Sequence, residues 1–380
     1  MNIPGKFKTF GLLSFGFLLW PWVTVHAQPS QLIFWHNQTG LQARFVEKLI
    51  DEFNSQHPGK VKIWGETGLE LESTLMSRIN PSVRPDLLLI PSDMTGLKEE
   101  LQLTHLPSSW TRLSQGTRLA PESFGIPVLG GNQLYLFYNK RLITEVPTTW
   151  LKLQQLHEQL KKTGVRTIGW PFYEPYYFLP FIQAFGQFDP ERLETPEMKL
   201  ALDFYRDLIV SGIVPKDCDL SCNTKRFYNG EFAFAISGDW GITEAKAKLK
   251  EQFGMAPLPG ISATQPLISG SEIQYLVFPK RRSFEKHQKL LKEFSHFLLS
   301  EPVQARWFKE ADRVPILSHL DSKLSNIATI AKPVPRTKTV FYSWIALRKG
   351  LQLLMAGENG IPGKMQKHLG TLQRSEAKHP

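Results

Sequence analysis

Pro85-Asp86-Leu87-Leu88-Leu89-Ile90 sets four consecutive apolar residues behind a proline and an aspartate. A run this short, with no polar alternation, reads as a strand buried on both faces of a sheet. Glu70 to Ile79 ahead of it reads as a helix, and Val61-Lys62-Ile63-Trp64 as a second strand entered through the break His57-Pro58-Gly59. Further back, Ala43 to Phe53 carries apolar residues at helical spacing, and Leu32-Ile33-Phe34-Trp35 is another short apolar run. Strand, helix and strand in succession predict an α/β lobe.

On the other side, Gly125-Ile-Pro-Val-Leu-Gly-Gly gives way to Leu134-Tyr135-Leu136-Phe137-Tyr138-Asn139-Lys140, a strand read as a crossover into a second lobe. Thr148-Thr149-Trp150 has the character of a helix start, with Leu151, Leu153, Leu156 and Leu160 predicted on one side of the helix. Further helices are predicted over 196–211, 286–299 and 302–309, and Phe232 to Ile236 as a short buried strand. No internal repeat, heptad run or low-complexity linker occurs, so the second unit is not strung on a flexible tether. A length of 380 residues supports two compact units once a leader is set aside.

The leader is predicted over 1–27. Lys6 and Lys8 precede an apolar run from Phe10 to Trp20, and Val25-His26-Ala27 fits a signal-peptidase site, with cleavage expected after Ala27. About 11 apolar residues fall short of the roughly 20 that span a bilayer as a helix, which argues against an uncleaved anchor. Cys218 and Cys222 are the two cysteines, and in an oxidising compartment they can pair across one short loop. Neither zinc nor redox catalysis has its usual spacing around them. The net charge is +10, and losing Lys6 and Lys8 with the leader leaves +8. The basic residues are scattered, without an aromatic-interleaved stripe, so no nucleic-acid partner is expected.

Six collinear blocks resemble the extracellular (periplasmic) solute-binding family of ABC importers, the family that includes maltodextrin-binding and glycerol-phosphate-binding proteins. The blocks are Leu32 to Gly40 with Glu52-Phe53-Asn54 and His57-Pro58; Pro85-Asp86-Leu87; and Gly125-Ile126-Pro127 with Phe137 to Lys140. They continue with Phe227 to Ala233 leading to Ser237-Gly238-Asp239-Trp240, then Ala256 to Gly260, then Phe294 to Trp307. The resemblance implies a two-lobed α/β fold, each lobe a mixed sheet flanked by helices, with a ligand cleft between them. It places the first lobe at 28–133 plus 274–314 and the second at 134–273 plus 315–380. It also implies capture of a sugar for the membrane subunits of an ABC importer, by a periplasmic monomer that needs no cofactor or metal.

A pyranose has an apolar face and a rim of hydroxyls, so its site needs aromatic plates together with carboxylates, amides and guanidinium groups. By resemblance, Glu174 and Tyr176 belong to the family's Glu-Pro-Tyr element, Trp240 is its stacking tryptophan, and Trp344 with Arg348 matches its late Trp-x-x-x-Arg spacing. Asn37, Gln38, Asp93 and Asn132 lie where loops of the first lobe would face the cleft. Each residue also has a plainer reading. The tryptophans can be packing residues, Glu174 and Arg348 solvated ones, and Asp93 the cap of a helix starting near Met94-Thr95. His36 is read as a strand-end residue beside the cleft.

The chain departs from the maltodextrin binders in two places. Asn37-Gln38 stands where they carry an Asp-Lys pair, and Asn132 replaces a family carboxylate. That leaves room for another sugar, a polyol or a glycerol-phosphate compound. An enzyme is the rival class. Phosphate loop, Gly-x-Ser-x-Gly elbow and His-Glu-x-x-His are all lacking, and a glycosidase would have to draw its carboxylates from Asp93, Glu174 and Asp239. A binding subunit that reports to a membrane sensor would read the same as one that feeds transport.

Overall fold

The computed structural model describes residues 30–59, 61–67, 85–111, 113, 117, 123–320 and 331–377. The leader over 1–27 and the helix predicted from Glu70 to Ile79 lie outside the described residues. Two mixed sheets organise the rest. The first contains β1 (Ser30–His36), β2 (Val61–Thr67), β3 (Leu87–Pro91), β4 (Gly125–Gly131), β9 (Gly270–Val277) and β10 (Val314–Pro315), in the order β10-β4-β9-β3-β1-β2, with β11 (Lys332–Pro333) paired to β9. The second contains β5 (Leu134–Asn139), β6 (Arg166–Gly169), β7 (Phe232–Gly238) and β8 (Phe253–Ala256), in the order β6-β7-β5-β8.

The apolar run Leu87 to Ile90 lies in β3, parallel to β1 and antiparallel to β9. Successive side chains on a strand point to opposite faces, and here Leu87 and Leu89 enter one apolar cluster while Leu88 and Ile90 enter another. Its unbroken apolar character thus reflects two buried faces. The aspartate ahead of it is a tie, since Asp86 Oδ2 accepts from the Ile33 amide at 2.8 Å and Oδ1 accepts from Ser283 Oγ at 2.5 Å.

Helix α1 (Gly40–Gln56) buries Phe45, Val46, Leu49, Ile50 and Phe53, spaced three and four apart, in the core of the first lobe. The side-chain amide of Asn54 then takes both backbone groups of Ile63, accepting from N–H and donating to C=O, and so fixes β2 against the helix. Helices α6 (Arg282–Leu299) and α7 (Glu301–Ala311) complete this core through residues such as Phe294 and Trp307.

The second core is larger and richer in aromatic rings. It gathers β5 and β7 with α2 (Trp150–Thr163), α3 (Pro175–Phe185), α4 (Pro196–Val210), α5 (Ile242–Leu249), α8 (Lys338–Met355) and α9 (Ile361–Ala377). The hydroxyl of Thr149 accepts from the Lys152 amide and caps α2, as its sequence implies. Leu151 does not join Leu153 and Leu160 in the core. It is 62% exposed because Trp150 takes the buried position at the helix start.

The strand Leu134–Asn139 lies wholly within the second sheet. The link from the first sheet is the pair Asn132-Gln133, and Asn132 has the positive φ of 52° that turns the chain between lobes. Strand β9 pairs with β4 from Glu272 and with β3 from Gln274, and β11 pairs with it at Gly270 and Ser271. Cys218 and Cys222 form a disulfide, with Cα atoms 5.5 Å apart, at the entrance to the segment that carries Asn223 and Thr224. No helix among the described residues is long and apolar enough to cross a membrane.

Candidate functional site: a polar and aromatic cleft between the lobes

A cavity of about 820 Å³ lies between the two sheets. The first lobe brings Asn37, Gln38, Asp93 and Asn132 to it, and the second brings Glu174, Tyr176, Trp240, Trp344 and Arg348. Residues up to 311 positions apart in the chain, from Asn37 to Arg348, therefore share one concave surface. Its volume falls within the range of roughly 300–1,000 Å³ usual for small-ligand sites.

The aromatic side of the cleft is a chain of rings. Trp344 stacks on Phe188 with centroids 5.5 Å apart and planes 8° from parallel, and meets Tyr176 edge-on at 6.5 Å. Tyr176 continues to Trp240 at 6.1 Å, and Trp240 meets Tyr177 at 6.3 Å and 89°. Trp240 lies in the turn after β7, folded back over the preceding backbone. A Cβ on Gly238 would lie 2.1 Å from Trp240 Cζ3, so only glycine leaves the indole that place. Trp344 and Arg348 are one turn apart on α8 and hence on one face of it.

The polar side is a connected network. Gln38 Nε2 donates to Asn37 Oδ1 at 2.9 Å and to Gln274 Oε1 at 3.0 Å. Gln274 Nε2 donates on to Asn132 Oδ1 at 3.3 Å, which also accepts from Arg313 Nη2 at 2.8 Å, while Asn132 Nδ2 donates to Glu272 Oε2 at 2.8 Å. The Asn132 carbonyl accepts the hydroxyl of Tyr176. Both ends of the Asn132 amide are thus engaged within the protein, and its place in the cleft is that of a junction.

Beneath this junction Arg313 Nη1 donates to Asp239 Oδ1 at 2.6 Å, with both side chains fully buried. Burial raises Asp239 to about 6 against the pull of Arg313 and of backbone amides at Asn132 and Trp240. A Cβ on Gly131 would lie 1.9 Å from Asp239 Oδ2, so the end of β4 closes over this carboxylate because residue 131 has no side chain. Asp239 itself does not line the cavity, which takes it out of the set of carboxylates a glycosidase could use there.

Asp93 sits in the first turn of the short helix Ser92–Leu97, whose cap position is Pro91. Its Oδ2 accepts from Trp344 Nε1 at 2.8 Å, a hydrogen bond from one lobe to the other. At the rim, Glu174 Oε2 accepts from Arg348 Nη2 at 2.8 Å, and both side chains stay partly in solvent. His36 does not line the cavity; its ring is buried behind it, and burial lowers it to about 4 while a backbone group of Gln38 pulls the other way.

Sequence reasoning missed Glu272, Gln274, Arg313 and Asn223, all of which line the cavity. The signal for the first two was present in Gly270-Ser-Glu-Ile-Gln-Tyr-Leu-Val277, where polar residues two apart must share a face of a strand. Asn223 is held by its Nδ2, which donates to the Tyr177 hydroxyl at 3.0 Å and the Ile236 carbonyl at 2.9 Å. Among the described residues no cluster of three or more His, Cys, Asp or Glu side chains is arranged to hold a metal ion.

A family profile described as bacterial extracellular solute-binding protein matches residues 48–326. A maltotriose-binding protein of Pyrococcus abyssi (strain GE5 / Orsay) is 24% identical over 250 residues, which is 61% of this chain and 54% of that protein. The match therefore spans about half the length of that relative. Among solved structures, the maltose/maltodextrin-binding domain MalE from Bdellovibrio bacteriovorus, bound to maltotriose, superposes with a TM-score of 0.80 at 22% identity, covering 90% of this chain and 100% of that one. The GacH receptor of Streptomyces glaucescens GLA.O, solved unliganded and with acarbose and a homologue of it, gives 0.76 at 18% identity, covering 92% and 99%. These likenesses establish the two-lobed fold.

Proposed function

The chain belongs to the family of bacterial extracellular solute-binding proteins, and on that premise we propose that it captures a neutral oligosaccharide between its lobes and delivers it unaltered to the membrane subunits of an ABC importer. The observation that carries this reading is the composition of the cleft between the sheets. Trp240, Tyr176 and Trp344 offer ring surface, and Asn37, Gln38, Asp93, Glu174 and Arg348 offer donors and acceptors around it. Apolar plates beside hydrogen-bonding groups suit a sugar ring, whose faces and edges differ in the same way.

A neutral ligand is favoured over a glycerol-phosphate compound. Arg313 and Arg348 are already matched to Asp239 and Glu174, Lys248 lies 3.8 Å from Glu244, and Asp93, Glu272 and Lys225 complete the charged lining. A phosphate would find both guanidinium groups of the lining already committed to carboxylates. The sugar-binding relatives, among them a maltotriose-binding protein, point to maltodextrins as the first compounds to test.

In this reading the leader is cleaved after Ala27, the protein works as a monomer in a periplasm, and it performs no chemistry on its ligand. Lobes divided at 133/134, near 270 and near 315 close on the sugar, which shifts the population toward the closed form by touching both. Asp93 on one lobe and Trp344 on the other, already joined, would bear on the same guest.

A thermal-shift screen of residues 28–380 against maltose, maltotriose, acarbose, polyols and glycerol phosphodiesters tests the proposal. Neutral oligosaccharides are expected to raise the melting temperature, by mass action on the native state alone. A shift produced by the phosphodiesters and by none of the sugars would overturn it.

A further inference from the structure

We propose that Glu272 and Asp93 form a hydroxyl-binding carboxyl pair at the base of the cleft, holding one proton between them, so that together they donate to and accept from adjacent hydroxyls of a neutral sugar. The inference rests on the sugar-binding reading above and adds to it a residue, a protonation state and a selection against anionic ligands.

The geometry begins with Asn132. Its Oδ1 accepts from Arg313 and Gln274, so its Nδ2 is the end that faces Glu272, and it donates to Oε2 at 2.8 Å. Asn132 stands where the resembled maltodextrin binders carry a carboxylate. Here the carboxyl comes from β9, and Asn132 orients it. Glu272 is 5% exposed, lines the cavity, and its Oε1 is buried with no N–H or hydroxyl donor from the protein on it.

Asp93 lines the same cavity, its segment joined to that of Glu272 where the Ile273 amide donates to Ser92 Oγ at 3.3 Å, and its Oδ2 is held by Trp344 Nε1 at 2.8 Å. The other polar groups facing the pair are already committed. Tyr176, from α3, gives its hydroxyl to the Asn132 carbonyl. Arg313, ahead of β10, gives its two Nη groups to Asp239 and Asn132, and Asp239 at the end of β7 is in that ion pair.

Two carboxyl groups so placed and so buried cannot both ionise, because each charge loses its hydration and repels the other. Burial first, and Asp93 beside it, hold Glu272 well above the usual carboxylate range. A carboxylate only accepts hydrogen bonds, whereas a protonated carboxyl also donates. One proton between two carboxyls thus supplies a donor and acceptors side by side, the pattern that two neighbouring hydroxyls require. The remaining negative charge repels phosphate or carboxylate groups on a ligand.

Infrared difference spectroscopy and calorimetry on residues 28–380 test the pair together. The wild type minus E272Q spectrum at pH 7 is expected to show the carbonyl stretch of a protonated carboxyl, with or without sugar. Maltotriose affinity of the wild type is expected to fall as pH is raised and the proton is lost. E272Q, whose amide donates and accepts without titrating, should lack that slope and should bind roughly fivefold or more tightly than E272A, which has neither donor nor acceptor. Melting temperatures of the sugar-free variants separate lost contacts from lost folding.

A missing carbonyl band, or an E272A variant that is folded and binds maltotriose as tightly as wild type, overturns the inference. A protein that shows the band yet binds none of the neutral sugars contradicts the sugar reading while supporting the shared proton.

Discussion

The floor of the cleft and its rim each set an arginine against a carboxylate, and the two pairs obey different physics. Arg313 and Asp239 meet at 2.6 Å with neither side chain exposed, whereas Arg348 and Glu174 meet at 2.8 Å with 33% and 44% of their side chains exposed. On the floor, desolvation makes each charge depend on its partner, while Asn132 Oδ1 accepts from Arg313 Nη2 and the Asn132 backbone N–H donates to Asp239 Oδ2. At the rim, water screens the pair and can replace either member at little cost. The floor is built to hold one arrangement, and the rim is left able to exchange partners with a guest.

That contrast can be broken by substitution. Arg313→Ala strands a buried carboxylate and is expected to cost about 3–5 kcal/mol of stability in urea unfolding. The double change R313M/D239L should recover most of that loss, because it removes both charges at once. A single-variant cost near zero would mean that the floor behaves like the rim.

Acid tests a second buried titratable group, outside that pair. His36 at the end of β1 is lowered to about 4 by burial, so its native state resists the proton that the unfolded chain accepts near the ordinary value of 6.5. Its contribution to stability is therefore full above that ordinary value and is lost as pH falls toward 4, by up to about 3 kcal/mol. The difference in unfolding free energy between wild type and His36→Gln, followed from pH 8 to pH 4, should change by that order. A flat difference would show that the ring takes up its proton without cost.

The aromatic wall and the rim should respond in binding more than in stability. Trp240→Ala is expected to weaken maltotriose binding by about 1–3 kcal/mol in calorimetry, the scale of an aromatic contact near the centre of a site. Unchanged affinity would remove Trp240 from the ligand surface and leave it a packing residue. The smallest expected effect is on the stability of Arg348→Ala, which should stay within about 1 kcal/mol of wild type. A larger loss would place Arg348 with the floor.

The same division explains what could be read from the chain. Leu87 to Ile90, α1 and β7 were legible because apolar spacing reports burial directly, and Gly238-Asp239-Trp240 because it resembles the family's block with a stacking tryptophan. The second-lobe residues Glu174, Trp240, Trp344 and Arg348 sit in local motifs and could be named by resemblance. The floor could not be assembled in that way. Asn132 meets Glu272, Gln274 and Arg313 across 140, 142 and 181 residues of chain, and no local pattern announces such partners. Leu151 failed for a different reason, since its spacing fits a helix face but Trp150 beside it fills the space toward the core.

Calorimetric titration of a maltodextrin series into residues 28–380, with chromatography of the sugar afterwards, tests the central claim most directly. Saturable binding of one sugar per chain, with the sugar recovered at its original length, is the predicted result. Absence of saturation with every neutral oligosaccharide, or recovery of a shortened one, would contradict it.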